Sequence, residues 1–459
     1  MKFVFCLTIC LVLPAFCFGA TIWVPDNYTT IQAAIGAANN GDTVMVRAGV
    51  YTERIDFFGK AITLRSEEGF RHTSIDGTLG SEVVKFVNGE GSDSVIDGFM
   101  ILNGLSPLGK GGVVCVGSSP TIINNSITTN LSNVGGGGIY CEDASPTIEH
   151  NGISGNMTFN GFGGAILCVN SSPSIRFNTF VGNQAVAGAG VHCDANSSPS
   201  IVNNFFATNI ATYGGAIACQ GTGIVITSNT IYKNTAHTAG GGIVIDAGAS
   251  ATVTNTIVWD NEAPAGAQIH DVGGSLSVNY CDVMGGWPGT GNIDANPEFI
   301  DPAVADVHIT WTSPCREAGD NAAPGLPAED FDGDPRVAGT VDIGGDEFYT
   351  TLYYRGCDLV PGSPFELVVS GFPGMPVTLF LGSGIQDPPY NTQYGLFHLI
   401  WPTPWSSTIG TTQPNGFLVF PTYVPASWNV GDEKPLQALV GPWNDPATRL
   451  TNLLIFRVE

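Results

Sequence analysis

The sequence predicts an all-β fold: a right-handed parallel β-helix with coils of about 26 residues, followed by a small β-sandwich domain. Three observations predict it. A motif recurs at a fixed period, apolar residues alternate within the segments between its copies, and the repeat rhythm stops before the last 110 or so residues. The motif is Ser118-Ser-Pro-Thr-Ile-Ile-Asn-Asn-Ser-Ile, repeated from Ala144, Ser171 and Ser197. Its prolines, Pro120, Pro146, Pro173 and Pro199, are 26, 27 and 26 residues apart. A unit this short cannot bury its own apolar face, so units stack about 4.8 Å apart to share one core.

The strand between the copies reads Gly138-Ile-Tyr-Cys, Ala165-Ile-Leu-Cys, Gly190-Val-His-Cys and Ala216-Ile-Ala-Cys. Alternation places Ile139 and Cys141 inward and Tyr140 outward. Cys115, Cys141, Cys168, Cys193 and Cys219 form one column, and Ile245 continues it. Isoleucine in the place of cysteine marks an apolar position, so the expectation is stacked free thiols. Two asparagine columns run alongside: Asn125, Asn151, Asn178, Asn204, Asn229 and Asn255, then Asn130, Asn156, Asn183, Asn209, Asn234 and Asn261. Asparagine tolerates left-handed turn conformations, and stacked amides bond coil to coil.

Ahead of the clear repeats, Ile31, Ala34 and Ile35 share one helical face, which predicts a short helix covering the open end of the solenoid. Residues 1–20 read as a signal peptide, with Lys2 before an apolar run and Gly19-Ala20 at its end. The run is too short to span a bilayer. Export is therefore expected, to the extracellular space or the cell surface, with no membrane insertion. There are 16 basic residues against 40 acidic ones, a formal net charge of −24. That argues against nucleic acid and anionic membrane surfaces as partners.

Several segments specify a resemblance. The opening carries Ile31-Gln-Ala-Ala-Ile, Asn40-Gly-Asp-Thr-Val, Gly49-Val-Tyr-Thr-Glu and Gly59-Lys-Ala-Ile-Thr-Leu. The close carries Gly291-Asn-Ile-Asp-Ala-Asn-Pro-Glu-Phe, Ser313-Pro-Cys-Arg-Glu-Ala-Gly-Asp and Asp330-Phe-Asp-Gly-Asp-Pro-Arg. Residues 21–347 thus resemble bacterial secreted right-handed β-helix proteins of the pectin-lyase-like fold. The resemblance implies the fold and an extracellular setting, with polysaccharide or another extracellular surface component as partner. It implies no single reaction, and the Gly-His-Gly and Arg-Ile-Lys blocks of polygalacturonases are absent. Residues 352–459, with Trp401, Trp405, Trp428 and Trp443, read as β-strands between Pro/Gly turns and resemble appended β-sandwich modules.

Alternation also nominates two outward columns on the cysteine-bearing strands. One holds Val114, Tyr140, Leu167, His192, Ala218 and Val244; the other holds Val116, Glu142, Val169, Asp194, Gln220 and Asp246. Glu142, His192, Asp194 and Asp246 are the candidate catalytic groups, with Tyr140 and Gln220 as substrate contacts. Carboxylates two coils apart stand about 9.6 Å apart at the backbone. Inverting glycosidases hold their carboxyl groups at a comparable separation. The competing expectation is a non-catalytic binding face, because no long insertion interrupts the repeats to build cleft walls. A purely structural or adhesive exoprotein is the third reading. Asp330, Asp332 and Asp334 form a carboxylate loop suited to calcium, or to closing the solenoid with Arg336 as counter-charge. Cys281 and Cys315 are candidates for a disulfide; Cys357 has no evident partner.

Overall fold

The computed structural model describes residues 19–106, 110–302, 306–337 and 339–348, together with strands and Thr412 between 352 and 457. The chain divides into two units. One comprises residues up to Ser174 with Asn183–Val186; the other comprises Ile175–Gly182 and everything from Ala187.

The first unit is a parallel β-solenoid. One sheet runs Thr21–Val24, Thr43–Val46, Thr63–Ser66, Val95–Asp97, Thr121–Ile123 and Thr147–Glu149, each strand beside the next. A second holds Gly49–Tyr51, Thr73–Asp76, Met100–Leu102, Ser126–Thr128 and Gly152–Ser154. A third holds Ile55–Asp56, Val84–Phe86, Val113–Val116, Ile139–Glu142 and Ile166–Val169. The register puts like on like: Cys115 pairs with Cys141, and Cys141 with Cys168. Ile96, Ile122 and Ile148 stack with no exposed surface, as do Ile101, Ile127 and Ile153. Each such side chain contributes about 1.5–3 kcal/mol by leaving water.

The second unit repeats the plan. Its sheets contain Ser200–Val202 through Ser275–Asn279, Thr179–Val181 through Asp282–Val283, and Val191–Cys193 through Ile269–Asp271. Cys193 pairs with Cys219, and Cys219 with Ile245, as the column predicts. Phe180 and Phe206 stack with ring centroids 4.5 Å apart and planes at 4°. Cys115, Cys141, Cys168, Cys193 and Cys219 are all buried free thiols. Cys281 and Cys315 are free as well: the Cys315 thiol donates to Asp282 Oδ2 at 3.2 Å, so the suggested bridge is not formed.

The opening helix is present at Ile31–Ala37, with Ile31, Ala34 and Ile35 buried. Glu53 accepts the amide hydrogens of Ile31 and Gln32 at one end. Lys60 Nζ donates to the carbonyls of Ile35, Gly36 and Ala38 at the other. Both orphan ends of a seven-residue helix are thereby satisfied. No helix among the described residues is long and apolar enough to cross a membrane.

The asparagine columns are buried ladders, but their turn chemistry differs from expectation. Asn130 donates from its backbone and from Nδ2 to Asn156 Oδ1, and Asn156 does the same to Asn183 Oδ1. The left-handed residue is instead the one before the first ladder: Asn124, His150, Phe177, Asn203 and Ser228 have φ of 53–57°. Among the ladder positions only Asn255 is left-handed, with φ 51°. The amide stabilises the turn from inside the coil, while its predecessor takes the strained conformation.

A fourth, narrow sheet was not expected. It pairs Leu105–Ser106 with Leu131–Ser132, then with Met157–Thr158, in the first unit. Ile210–Tyr213 pairs with Thr235–Ala239 in the second. After the strands that end at Ser132, Thr158, Ala187, Tyr213 and Ala239 the chain turns through a left-handed glycine: Gly136, Gly163, Gly188, Gly214 and Gly240 have φ of 58–66°, and Gly266 in the next coil has φ 53°. A Cβ on Gly163 would meet the Leu167 Cα at 2.7 Å, and one on Gly240 the Val244 Cβ at 2.9 Å. The backbone therefore lies directly on the outer side of the cysteine-bearing strand, and only glycine permits that approach.

The strands between Leu352 and Arg457 pair antiparallel, which fits a separate C-terminal module. Trp405 opens one of them. Trp401, Trp428, Trp443, Cys357 and most of the signal-peptide segment, residues 1–18, lie outside the described residues.

Candidate functional site

The covering glycine turns change the reading of the first outward column. Val114, Tyr140, Leu167, His192, Ala218 and Val244 are 2–8 % exposed, so they form a second buried layer rather than a solvent face. Tyr140 offers no open stacking surface: Lys110 Nζ sits 4.0 Å from its ring centroid, and its hydroxyl donates to Glu142 Oε2. His192 is buried, and that burial depresses its pKa to about 4 against the pull of Asp246 and Asp194. It is a neutral imidazole at ordinary pH, inaccessible to a polymeric substrate. The expectation that Tyr140 and His192 face solvent is corrected accordingly.

The second outward column does reach solvent. Glu142, Asp194 and Asp246 are half-buried and Gln220 is exposed. Each carboxylate has local work. Glu142 pairs with Lys110 Nζ at 2.9 Å. Asp194 accepts from Ser197 Oγ at 2.7 Å and from the Asn196 amide at 3.1 Å, closing its own turn. Asp246 accepts from Gln220 Nε2 at 2.9 Å. In the second unit the strand carrying Gln220 separates those carrying Asp194 and Asp246. Asp194, Gln220 and Asp246 each directly follow the last residue of their strand, Cys193, Cys219 and Ile245.

Beside this face the corners following the fourth sheet carry apolar side chains in water. In the first unit Val134 is 54 % exposed, Phe159 49 % and Phe162 43 %. Phe159 donates its amide hydrogen to the Ser132 carbonyl, and Phe162 bridges to Gly135. The corners of successive coils are thus stitched together at these side chains. Nothing in the repeat alternation marks them, because they lie in turns; two phenylalanines between Thr158 and Gly163 were the available signal.

A second cluster forms where the closing segment of the second unit folds against the side of its coils. Phe299, Val307 and Phe331 pack on Phe205, Ala207 and Tyr232. The Gly345 amide donates to Thr230 Oγ1, and Asp320 exchanges two hydrogen bonds with the Asn255 side chain. The segment covers a flank of the solenoid.

Within it, Asp330 is buried. Its Oδ1 accepts the amides of Asp332 and Asp334, and its Oδ2 accepts that of Glu347. Asp330 is therefore a loop-closing acceptor. Asp332 points elsewhere, to His308 Nε2 at 2.7 Å, while His308 Nδ1 faces Asp306. His308, Asp332 and Asp346 bring one ligand atom each within 4.8 Å of one another. The carboxylate loop is thus divided between two jobs, and its ligand-bearing member finds partners, His308 and Asp346, that its spacing did not reveal.

Burial works against a charged His308, but Asp332 and Asp306 outweigh it and hold its pKa well above the imidazole range. Burial, with Asp330 and Asp332 adding to it, pushes Asp334 up to about 7. Arg336, fully buried, donates from Nη2 to the carbonyls of Asp342 and Gly344, so it ties backbone together beside the carboxylates. A cavity of about 200 Å³ adjoins the cluster, lined by His308 and Asp346 together with Val181, Phe205, Val307 and Phe331.

Residues 111–285 match the protein family described as right handed beta helix region. No curated protein matches the chain. The fold is that of a parallel β-solenoid, which is consistent with a carbohydrate-related or surface protein.

Proposed function

We propose that this chain is an exported β-helix protein that binds polysaccharide along the outside of its solenoid and leaves the polymer intact. The observation that carries the reading is the exposed apolar corner of the first unit, Val134, Phe159 and Phe162. Exposed apolar patches on an otherwise hydrophilic surface mark interaction sites. A pyranose ring presents apolar C–H faces that suit phenyl rings, with hydroxyls at its rim for the neighbouring polar row. The acidic surface favours neutral polymers over polyuronates.

The alternative, a polysaccharide hydrolase or lyase using Glu142, Asp194 and Asp246, needs a carboxyl group left available for proton transfer. The ion pair of Glu142 with Lys110 and the turn closure by Asp194 favour structural work instead. The purely adhesive reading differs in placing attachment on the C-terminal module.

Affinity electrophoresis of the purified full chain through gels containing β-glucan, xylan, galactomannan or polygalacturonate, with and without calcium, tests the proposal. Retardation by a neutral polymer, lost in a Phe159→Ala, Phe162→Ala variant, is the expected result. Release of reducing or unsaturated ends would overturn it in favour of catalysis.

A further inference from the structure

The geometry points to a divalent transition-metal site in the closing segment, with His308 Nε2, Asp332 and Asp346 as ligands and Asp306 orienting the imidazole. The three ligand atoms already lie within 4.8 Å of one another, a span that one ion at ordinary metal–ligand distances can bridge. Their origins are far apart in the chain: His308 ends up beside Asp332 through the packing of the segment on the flank, not through a local turn.

The second support is the arrangement around the imidazole. His308 Nδ1 is held by Asp306, which is 8 % exposed, and this leaves Nε2 to face Asp332 at 2.7 Å, while Asp346, whose Oδ2 also accepts the Ile309 amide, brings a carboxylate oxygen into the same cluster. Carboxylate, imidazole and metal in line is the usual outer-shell arrangement of histidine–metal centres, because the carboxylate fixes the tautomer and raises the basicity of the ligating nitrogen. The third support is space. The cavity of about 200 Å³ is lined by His308 and Asp346, so an ion held by three protein ligands has room for water on its open side. Asp332 is exposed, which provides a route for entry.

The ligand set selects the ion. One imidazole nitrogen with two carboxylates suits Zn²⁺ or Mn²⁺ better than Ca²⁺, which takes six to eight oxygen ligands. Calcium on Asp330, Asp332 and Asp334 is disfavoured, because Asp332 is turned away to His308 Nε2 at 2.7 Å. The competing account of the same atoms is a protonated His308 bridging Asp306 and Asp332 as a structural ion triad. This inference does not rest on polysaccharide binding.

Calorimetric titration of the chelator-dialysed full chain with Zn²⁺, and separately with Ca²⁺, tests it. One equivalent of Zn²⁺ is expected to bind, at least about tenfold more weakly in His308→Gln and Asp332→Asn. Asp306→Asn is expected to weaken it by about 10–100-fold. Asp332 is exposed, so its variant keeps the test valid if His308→Gln fails to fold. Absence of Zn²⁺ binding, Zn²⁺ binding unchanged in Asp332→Asn, or Ca²⁺ binding indifferent to His308→Gln would each overturn the assignment.

Discussion

Asn209 donates from Nδ2 to Asn234 Oδ1 at 2.8 Å, and the Asn209 backbone amide donates to the same oxygen. The same side chain donates to the Phe180 carbonyl one coil earlier, so a single amide ties three coils at a fully buried corner. Asn209→Ala strands the Phe180 carbonyl and removes a donor from Asn234. A loss of about 2–4 kcal/mol is expected, since an unsatisfied buried polar group costs about 1–3 kcal/mol. Urea denaturation measures it, and Asn209→Asp is expected to be no rescue because it lacks the two N–H donors.

The glycine turns make a sharper prediction. Gly214 has φ 60°, and a Cβ there would lie 2.5 Å from the Ile217 carbonyl oxygen and 2.9 Å from the Ala218 Cβ. Gly248 has φ 86° with open space around it. Gly248→Ala is expected to cost about 1 kcal/mol from backbone strain alone, whereas Gly214→Ala adds overpacking of about 1–3 kcal/mol. Thermal melts of the two variants compare them directly. Equal losses would show that the turns do not press on the underlying strand.

The cysteine column is predicted to be chemically silent. Burial drives the Cys115 thiol well above its ordinary range, with Cys141 adding to the shift. A thiol reagent is expected to modify the column only on unfolding. Cys141→Val is expected to be well tolerated, as Ile245 is in the same column. Cys141→Ser is expected to cost more, on the order of 1–3 kcal/mol, from burying a hydroxyl.

Asp282 gives the pH dependence. It is fully buried, and burial raises its pKa to about 6 despite amide donation from Ala295 and thiol donation from Cys315. The folded state therefore holds a proton that the unfolded chain releases. This stabilisation is fully present below about pH 4 and is lost as pH rises through about 6, a change on the order of 3 kcal/mol. Asp282→Asn is expected to flatten the stability–pH profile across that interval in urea titrations at fixed ionic strength.

What the sequence reveals follows from what repeats. The thiol column, the isoleucine stacks, the asparagine ladders and the helix at Ile31–Ala37 are all legible, because each coil restates the same side-chain direction. The fourth sheet escapes because strands as short as Leu131–Ser132 show no alternation. Its one signature, the glycine pair before each cysteine-bearing strand, reads equally well as a flexible loop. That omission turned a buried layer containing Tyr140 and His192 into an apparent surface. His308 escapes for a different reason. It lies 24 residues from Asp332, in a non-repeating segment whose packing no periodicity describes.

The central claim is that exposed phenyl rings at the solenoid corner hold intact polysaccharide. Calorimetric affinity for the best-retained neutral polymer, measured on the wild type and on the Phe159→Ala, Phe162→Ala variant, tests it most directly. The account predicts saturable wild-type binding that weakens at least about tenfold in the variant, with no new chain ends formed. Equal affinity in the two proteins, with both correctly folded, would contradict it.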